Sequence, residues 1–343
     1  MKFLVTGATS GLGRNAVEWL LKEGYEVHAT GRNAQIGQQL KLLGATFTVL
    51  DLVFATDQDF QQLMINCDVI WHCAAISSPW GKYQSFYEAN TLVTSKLAIW
   101  AGKLGIKRFI HVSTPSIYFD FKSRTNIPES FLAKKFTNNY VKTKYAAEQI
   151  IQEYICQYPE TKFIILRPRG IFGPYDRVII PRILAQIKKK KGILHLPSGG
   201  QAYIDLTFVL NVVYALFLAS TQTSLKSGST FNITNQQPAK LSNILDNLLK
   251  DQLDIQYHIR SVPYPILYSI ACVQESIAFL THIEPQLTRY SVGTLYFDMT
   301  LSQDSAKEFL GYKPLYSLEQ GIEITANWLR QYGVIKNGYT YNI

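Results

Sequence analysis

The chain has 343 residues, 47% of them hydrophobic and 17% charged, which excludes a disordered protein and leaves room for a large core. Its formal net charge of +9 raises nucleic acid or an anionic membrane as partners, but the basic residues are scattered except for Lys188-Lys189-Lys190-Lys191, so no nucleic-acid partner is expected. Cys67, Cys73, Cys156 and Cys272 show no CxxC or zinc spacing and the six histidines no metal motif, so the expectation is a metal-free protein of the reducing cytoplasm.

In chain order, Lys2 to Val5 reads as a short buried strand and Gly13 to Leu21 has helical periodicity. Because that strand starts at residue 2, no signal peptide is expected. Between strand and helix stands VTGATSGLG, Val5 to Gly13. Gly7, Gly11 and Gly13 suit the three tasks of a dinucleotide turn: the sharp corner, close approach to a pyrophosphate, and tight packing of helix on strand. Thr9, Ser10 and Leu12 complete the turn, and the helix N-terminus offers free N–H groups to the phosphates. The plain alternative is an ordinary strand-to-helix corner.

Further strands are expected at Glu26–Thr30, Thr46–Leu50, Val69–Cys73, Phe109–Ser113, Phe163–Arg167 and Ser229–Ile233. Their alternation with helical segments predicts a doubly wound α/β fold, a Rossmann-type parallel sheet. At the end of the second strand, HATGRN carries no acid for a ribose 2′-hydroxyl. Arg32 is available for a 2′-phosphate, so NADP(H) is expected in preference to NAD(H).

After Gly170 the alternation fades. The expected division is a cofactor domain over 1–170, with 203–235 returning to it, and a smaller substrate domain from 171–202 and 236–343. A helix over Pro181–Lys191 ends in the lysine run, which suits a solvated helix C-terminus. The most apolar stretch, Ile266–Leu280, contains Gln274 and Glu275 and is too short to span a bilayer. It can lie on a membrane surface as a peripheral contact, line an apolar pocket, or be a core helix.

Two segments carry chemistry. In HVSTPS, Ser113 stands at the end of a strand, the edge where open parallel sheets bind ligands. In NNYVKTKYAAEQII, Tyr140 and Lys144 are four apart near a helix start and share a face. A lysine beside a phenol, in a pocket that also holds a cationic nicotinamide, lowers the phenol's pKa and lets it exchange a proton with an alcohol or ketone.

With TGATSGLG, HCAA, Asn90, HVST, YVKTK and LRPRGIFGP in this order, the chain resembles the extended short-chain dehydrogenase/reductases, the NAD(P)-dependent epimerase/dehydratase superfamily. Through SSPWGKY, YIDLTFVLNVV, FNITN and VPYPILYSIA it is similar to the branch of 3β-hydroxysteroid dehydrogenases, sterol-4α-carboxylate 3-dehydrogenases and 2-alkyl-3-oxoalkanoate reductases. Ser10 departs from the resemblance, since extended members usually carry glycine there. The resemblance implies a catalytic trio of Ser113, Tyr140 and Lys144, with Lys144 also on the nicotinamide ribose. It implies adenine contacts from Asp51 and Leu52, cofactor contacts from Ala74, Ala75 and Asn90, and a segment against the nicotinamide at Pro168, Gly170 and Ile171. Asn90 can instead orient the lysine or simply brace a helix. The resemblance also implies a homodimer formed through two long helices per subunit.

Three functions are compatible with these residues. The first is an oxidoreductase acting on a hydrophobic 3-hydroxy or 3-oxo compound, sterol-like or a long β-keto acid. The second is a nucleotide-sugar epimerase, and the third a non-catalytic NADPH-binding regulator. For the first, Trp80, Tyr83, Tyr118 and the Tyr264–Leu280 segment are the expected apolar side of the pocket, with Arg169 and Arg177 as anchors for a carboxylate.

Overall fold

A computed structural model describes residues 1–281 and 283–331. Seven strands form the main sheet: β1 (Lys2–Thr6), β2 (Glu26–Gly31), β3 (Thr46–Val49), β4 (Val69–His72), β5 (Arg108–Val112), β6 (Lys162–Pro168) and β7 (Thr230–Ile233). Their order is β7-β6-β5-β4-β1-β2-β3, and every pairing is parallel. The order reverses between β1 and β4, where Thr6 lies opposite His72. At that point the flanking crossovers diverge and leave a crevice at the carboxyl edge of the sheet.

The strands are buried on both faces, as a parallel sheet between helices requires. Phe3 and Val5 point to the face covered by α1 (Gly11–Lys22) and the apolar α7 (Val209–Thr221), while Leu4 points to the other face with Phe60 and Leu97. That second face is covered by α3 (Asp57–Met64), α4 (Val93–Lys103) and α5 (Asn139–Gln157). Trp71 is fully buried and its indole N–H donates to Ser220 Oγ at 2.8 Å, tying α7 to the sheet. Outside the sheet, α2 (Ala34–Leu42) follows β2.

The later part of the chain builds smaller units at the carboxyl edge. Residues 193–197 pair in parallel with 258–262, and a four-stranded sheet joins 239–240, 203–204, 299–301 and 124–127. Helix α6 (Ile180–Lys189) ends where Lys191 and Gly192 take positive φ and the Gly192 N–H reaches Ile187 O at 2.9 Å. Helix α8 (Tyr264–Thr281) buries Leu267, Ala271 and Ala278. Ile266, Ile270, Val273, Ile277, Phe279 and Leu280 remain exposed, so this segment is not a core helix. Helix α9 (Arg289–Thr294) follows, and α10 (Leu318–Gln331) returns to pack Ile322, Ala326 and Leu329 into the main core. Of the stretch expected to belong to the substrate domain, residues 332–343 lie outside the described residues.

Candidate active site

The glycine turn sits at the end of β1. Gly7 has φ +68°, and a Cβ there would lie 2.9 Å from the Ala74 backbone. A Cβ on Gly13 would lie 2.3 Å from Gly7 O. These two positions therefore exclude any side chain, and the closeness holds α1 against β1 with its N-terminus at the crevice. Thr9 packs on Gly31 at the end of β2. The Gly11 amide donates to Tyr175 O at 3.2 Å, which leaves Leu12 and Gly13 as first-turn amides facing the crevice. Ser10, the N-cap, makes no side-chain capping bond.

The ends of the neighbouring strands bring the other expected cofactor residues to the same edge. Arg32, after β2, lies 3.7 Å from Asp51, after β3. Leu52 is buried in the core beneath them. Ala74 donates its amide to Thr6 Oγ1 at 3.1 Å, and Ala75 beside it is exposed. Pro168 ends β6, Gly170 turns at φ +54°, and Ile171 pairs with Thr207. The residues fit an adenine dinucleotide. The Asn90 amide accepts from Ile76 N (2.8 Å) and donates to Ile76 O (3.1 Å) and Thr143 Oγ1 (3.2 Å), so it clamps the loop after β4 to the helix that carries Lys144.

Helix α5 starts at Asn138, whose side chain accepts from Val141 N at 2.9 Å. Tyr140 and Lys144 are on its inner face. The Lys144 ammonium donates to Val112 O at 2.7 Å and lies 3.0 Å from His111 Nε2. Burial lowers its pKa to about 7, against the raising effect of Glu148 and Cys73. Burial likewise keeps His111 neutral and takes His72 down to about 3. His72 is held between Thr6 Oγ1 at 2.8 Å and Thr94 Oγ1 at 2.9 Å. The Tyr140 phenol is pushed up to about 12 by burial, opposed by a hydrogen bond with Thr114. Desolvation sets this direction, and the Lys144 ammonium is directed at Val112 and His111.

After β5 a chain of hydroxyls runs toward Tyr290. Thr114 Oγ1 donates to Ser116 Oγ at 2.9 Å, and Ser116 Oγ lies 2.7 Å from Tyr290 OH. Ser113, one residue earlier, continues the ladder through its amide to Leu166 O at 2.7 Å, and its hydroxyl is buried without a hydrogen-bond partner. Thr114 and Tyr290 escaped the sequence reading. The repeated hydroxyls of STPS hinted at Thr114, while nothing local marked Tyr290.

Glu148, one turn beyond Lys144, pairs with Arg167 of β6, Nε to Oε1 at 2.9 Å, both side chains nearly fully buried. Arg167 also donates to Tyr118 OH at 2.6 Å, and that hydroxyl donates to Asn232 Oδ1 at 2.8 Å. Tyr118 is a correction: it is 0% exposed and belongs to the core under the site, not to a substrate surface.

A cleft of about 1420 Å³ opens beside the start of α5. Trp80, Tyr83, Phe121, Phe131, Tyr268 and Tyr290 supply aromatic surface to it. The Arg169 Nε is buried without a hydrogen-bond partner, though Arg169 is not among the residues lining the cleft, and burial raises the Asp205 carboxyl to about 6. Arg177 is exposed and is not among the residues lining the cleft, because Asp176 before it turns back to accept the Val178, Ile179 and Ile180 amides at the start of α6.

The sequence matches the NAD dependent epimerase/dehydratase family over residues 3–234. The chain belongs to that family. It is 44% identical over 335 residues to the uncharacterized protein YbjS of Escherichia coli (strain K12), covering 97% of this chain and 99% of that one. It is 28% identical to a 4-hydroxy-2-methyl-3-oxo-4-farnesyl-3,4-dihydroquinoline-1-oxide ketoreductase of Stigmatella aurantiaca, over 98% of both chains. A 2-alkyl-3-oxoalkanoate reductase of Shewanella oneidensis is 29% identical over 93% of this chain and 84% of its own. The fold matches that of a UDP-glucuronic acid 4-epimerase from Bacillus cereus in complex with NAD, with a TM-score of 0.77 and 22% identity over 96% and 97% of the two chains. At that identity the match speaks for the fold alone. An enzyme family of this kind accords with the half-buried Tyr140 and the buried Ser113 and Lys144 at the carboxyl edge.

Proposed function

We propose that the protein is an NADP(H)-linked oxidoreductase that interconverts a ketone and a secondary alcohol on a hydrophobic 3-oxo or 3-hydroxy substrate. The observation that carries this reading is the aromatic-lined cleft of about 1420 Å³, which reaches Asn138 and Asn139 at the start of α5, the helix that carries Tyr140 and Lys144. When bound, the dinucleotide supplies the hydride acceptor or donor, and its oxidised nicotinamide adds a positive charge that favours the Tyr140 phenolate. Gly7, Leu12 and Gly13 would hold its pyrophosphate, Asp51 and Leu52 its adenine, and Lys144 its nicotinamide ribose, with Ala74 and Ala75 passing close to it.

Tyr140 exchanges its phenolic proton with the substrate oxygen, and Thr114 accepts or donates a hydrogen bond to fix that oxygen. The orphaned Ser113 hydroxyl is a second donor for the same position. Arg169, with its unpartnered Nε, serves as anchor for a carboxylate, and Trp80 and Tyr83 cover the apolar chain. The relatives named as reductases of a farnesyl quinoline oxide and of 2-alkyl-3-oxoalkanoates support a substrate of this kind. The four free cysteines support a reducing compartment, the cytoplasm. A homodimer through two long helices remains part of the proposal, checked by sedimentation equilibrium.

The test is kcat/KM for 3-oxo acids of increasing chain length with NADPH and with NADH. The expected result is a steady rise with length and a preference for NADPH that Arg32→Ala reduces about tenfold, as loss of one charge-assisted pair implies. A flat response to length would overturn the substrate reading, and tighter binding of NADH the cofactor reading.

A further inference from the structure

The lysine run and the apolar helix α8, which the catalytic site does not use, lie close together. Helix α8 turns its Leu267, Ala271 and Ala278 inward and presents Ile266, Ile270, Val273, Ile277 and Leu280 outward at spacings of four and three. The apolar surface is widest at its C-terminal tip, where Phe279 is 77%, Leu280 78% and Ile283 71% exposed. Just past the tip, Gln286 Oε1 accepts from Lys189 Nζ at 3.3 Å, which brings the Lys188–Lys191 run at the end of α6 beside it.

Further lysines line the cleft that the tip borders. Phe279 lines the same cleft as Lys82, Lys122, Lys134, Lys135 and Lys142. All five are exposed, and none is ion-paired among the described residues. The acids near them are already engaged: Asp120 with Arg124 at 2.7 Å, Glu275 with Arg289 at 2.6 Å, and Glu284 with the Ser78 hydroxyl at 3.2 Å.

We propose that the tip of α8, with the lysines on either side of it, docks the protein on an anionic lipid bilayer, so that the mouth of the cleft opens at the lipid surface. The apolar side chains enter the headgroup region while the lysines meet anionic lipids. The spacing of the outward residues also suits pairing with a second copy. Charge decides against it, since two tips brought together would oppose their lysines, whereas an anionic bilayer neutralises them. No helix among the described residues is long and apolar enough to cross a membrane, and docking needs none. The claim concerns the surface alone and stands apart from the substrate reading.

The test is co-sedimentation of the full-length protein with vesicles of phosphatidylcholine, and of equal parts phosphatidylcholine and phosphatidylglycerol, at low and high salt. Binding to the mixed vesicles, weakened by salt, is expected, with little binding to phosphatidylcholine alone. The variant with Phe279→Glu, Leu280→Glu and Ile283→Glu should lose binding while melting as the wild type does. Replacing Lys188, Lys189, Lys190 and Lys191 by glutamine should weaken the partition more than about tenfold. That second variant leaves the helix intact, so it decides the matter even if the first misfolds. The proposal is overturned if the wild type stays in solution with the mixed vesicles, if it binds both vesicle types equally, or if neither variant changes the partition. Vesicle binding requires no turnover, so a failed substrate assay leaves this result standing.

Discussion

Helix α5, which carries Tyr140 and Lys144, and the cleft helix α8 are each tied down by an arginine–carboxylate pair, and the two pairs differ in kind. Glu148–Arg167 lies under α5 with side chains 3% and 9% exposed and has Tyr118 as a further partner. Arg289–Glu275 spans α8 and α9 with the arginine side chain 51% exposed. In the first, two charges have been removed from water and depend on each other. In the second, water screens the arginine and shares its hydrogen bonds. The chemistry is thus held by a dry, mutually dependent network, while the surface that would meet substrate or lipid is held loosely enough to tolerate change.

The sharpest way to break this contrast is Tyr140→Phe, which removes the exchangeable proton and keeps the ring packed. Turnover should fall by about 10²–10⁴-fold while dinucleotide binding, followed by fluorescence titration, persists. Near-wild-type turnover would remove Tyr140 from its role. Next in size, Glu148→Ala leaves the Arg167 guanidinium buried and unpaired and should cost about 3–5 kcal/mol in urea unfolding. A loss as small as that of a surface pair would mean water reaches Arg167.

Lys144 sharpens the comparison through pH. Its folded pKa of about 7 lies below its unfolded value, so between these the unfolded chain holds the proton and the folded chain does not. The stability contributed by this position therefore rises with pH above about 7. The melting temperature of the wild type relative to Lys144→Met should climb by about 2 °C or more between neutral pH and pH 9. A constant difference would show that Lys144 stays charged in the fold. The smallest effect belongs to Glu275→Ala, expected to cost less than about 1 kcal/mol by the same urea measurement. A cost equal to that of Glu148→Ala would erase the distinction.

Much of the candidate site is legible locally. The strand-turn-helix of Val5–Gly13 depends on φ at Gly7 and on contacts a Cβ would close, both properties of residue type. Tyr140 and Lys144 share a face because helical period alone places them there. The alternation of apolar strands and periodic helices likewise determined a parallel sheet, since hydrophobic period reports which faces must be covered. What the chain order could not contain is which distant residues meet. Ser116 and Tyr290 are 174 positions apart, and their contact depends on how α9 is carried back over the sheet edge. Thr114 meets Ser116, and Ser116 meets Tyr290, because the chain turns at Pro115 after β5, a change of direction that strand periodicity does not encode. Tyr118 is buried by Arg167 and Asn232 from β6 and β7, and the same composition would have served an open pocket. The outward face of α8 is likewise a tertiary outcome: its apolar residues lie all round the helix, and only packing on Leu287 and Val292 selects which of them turn inward.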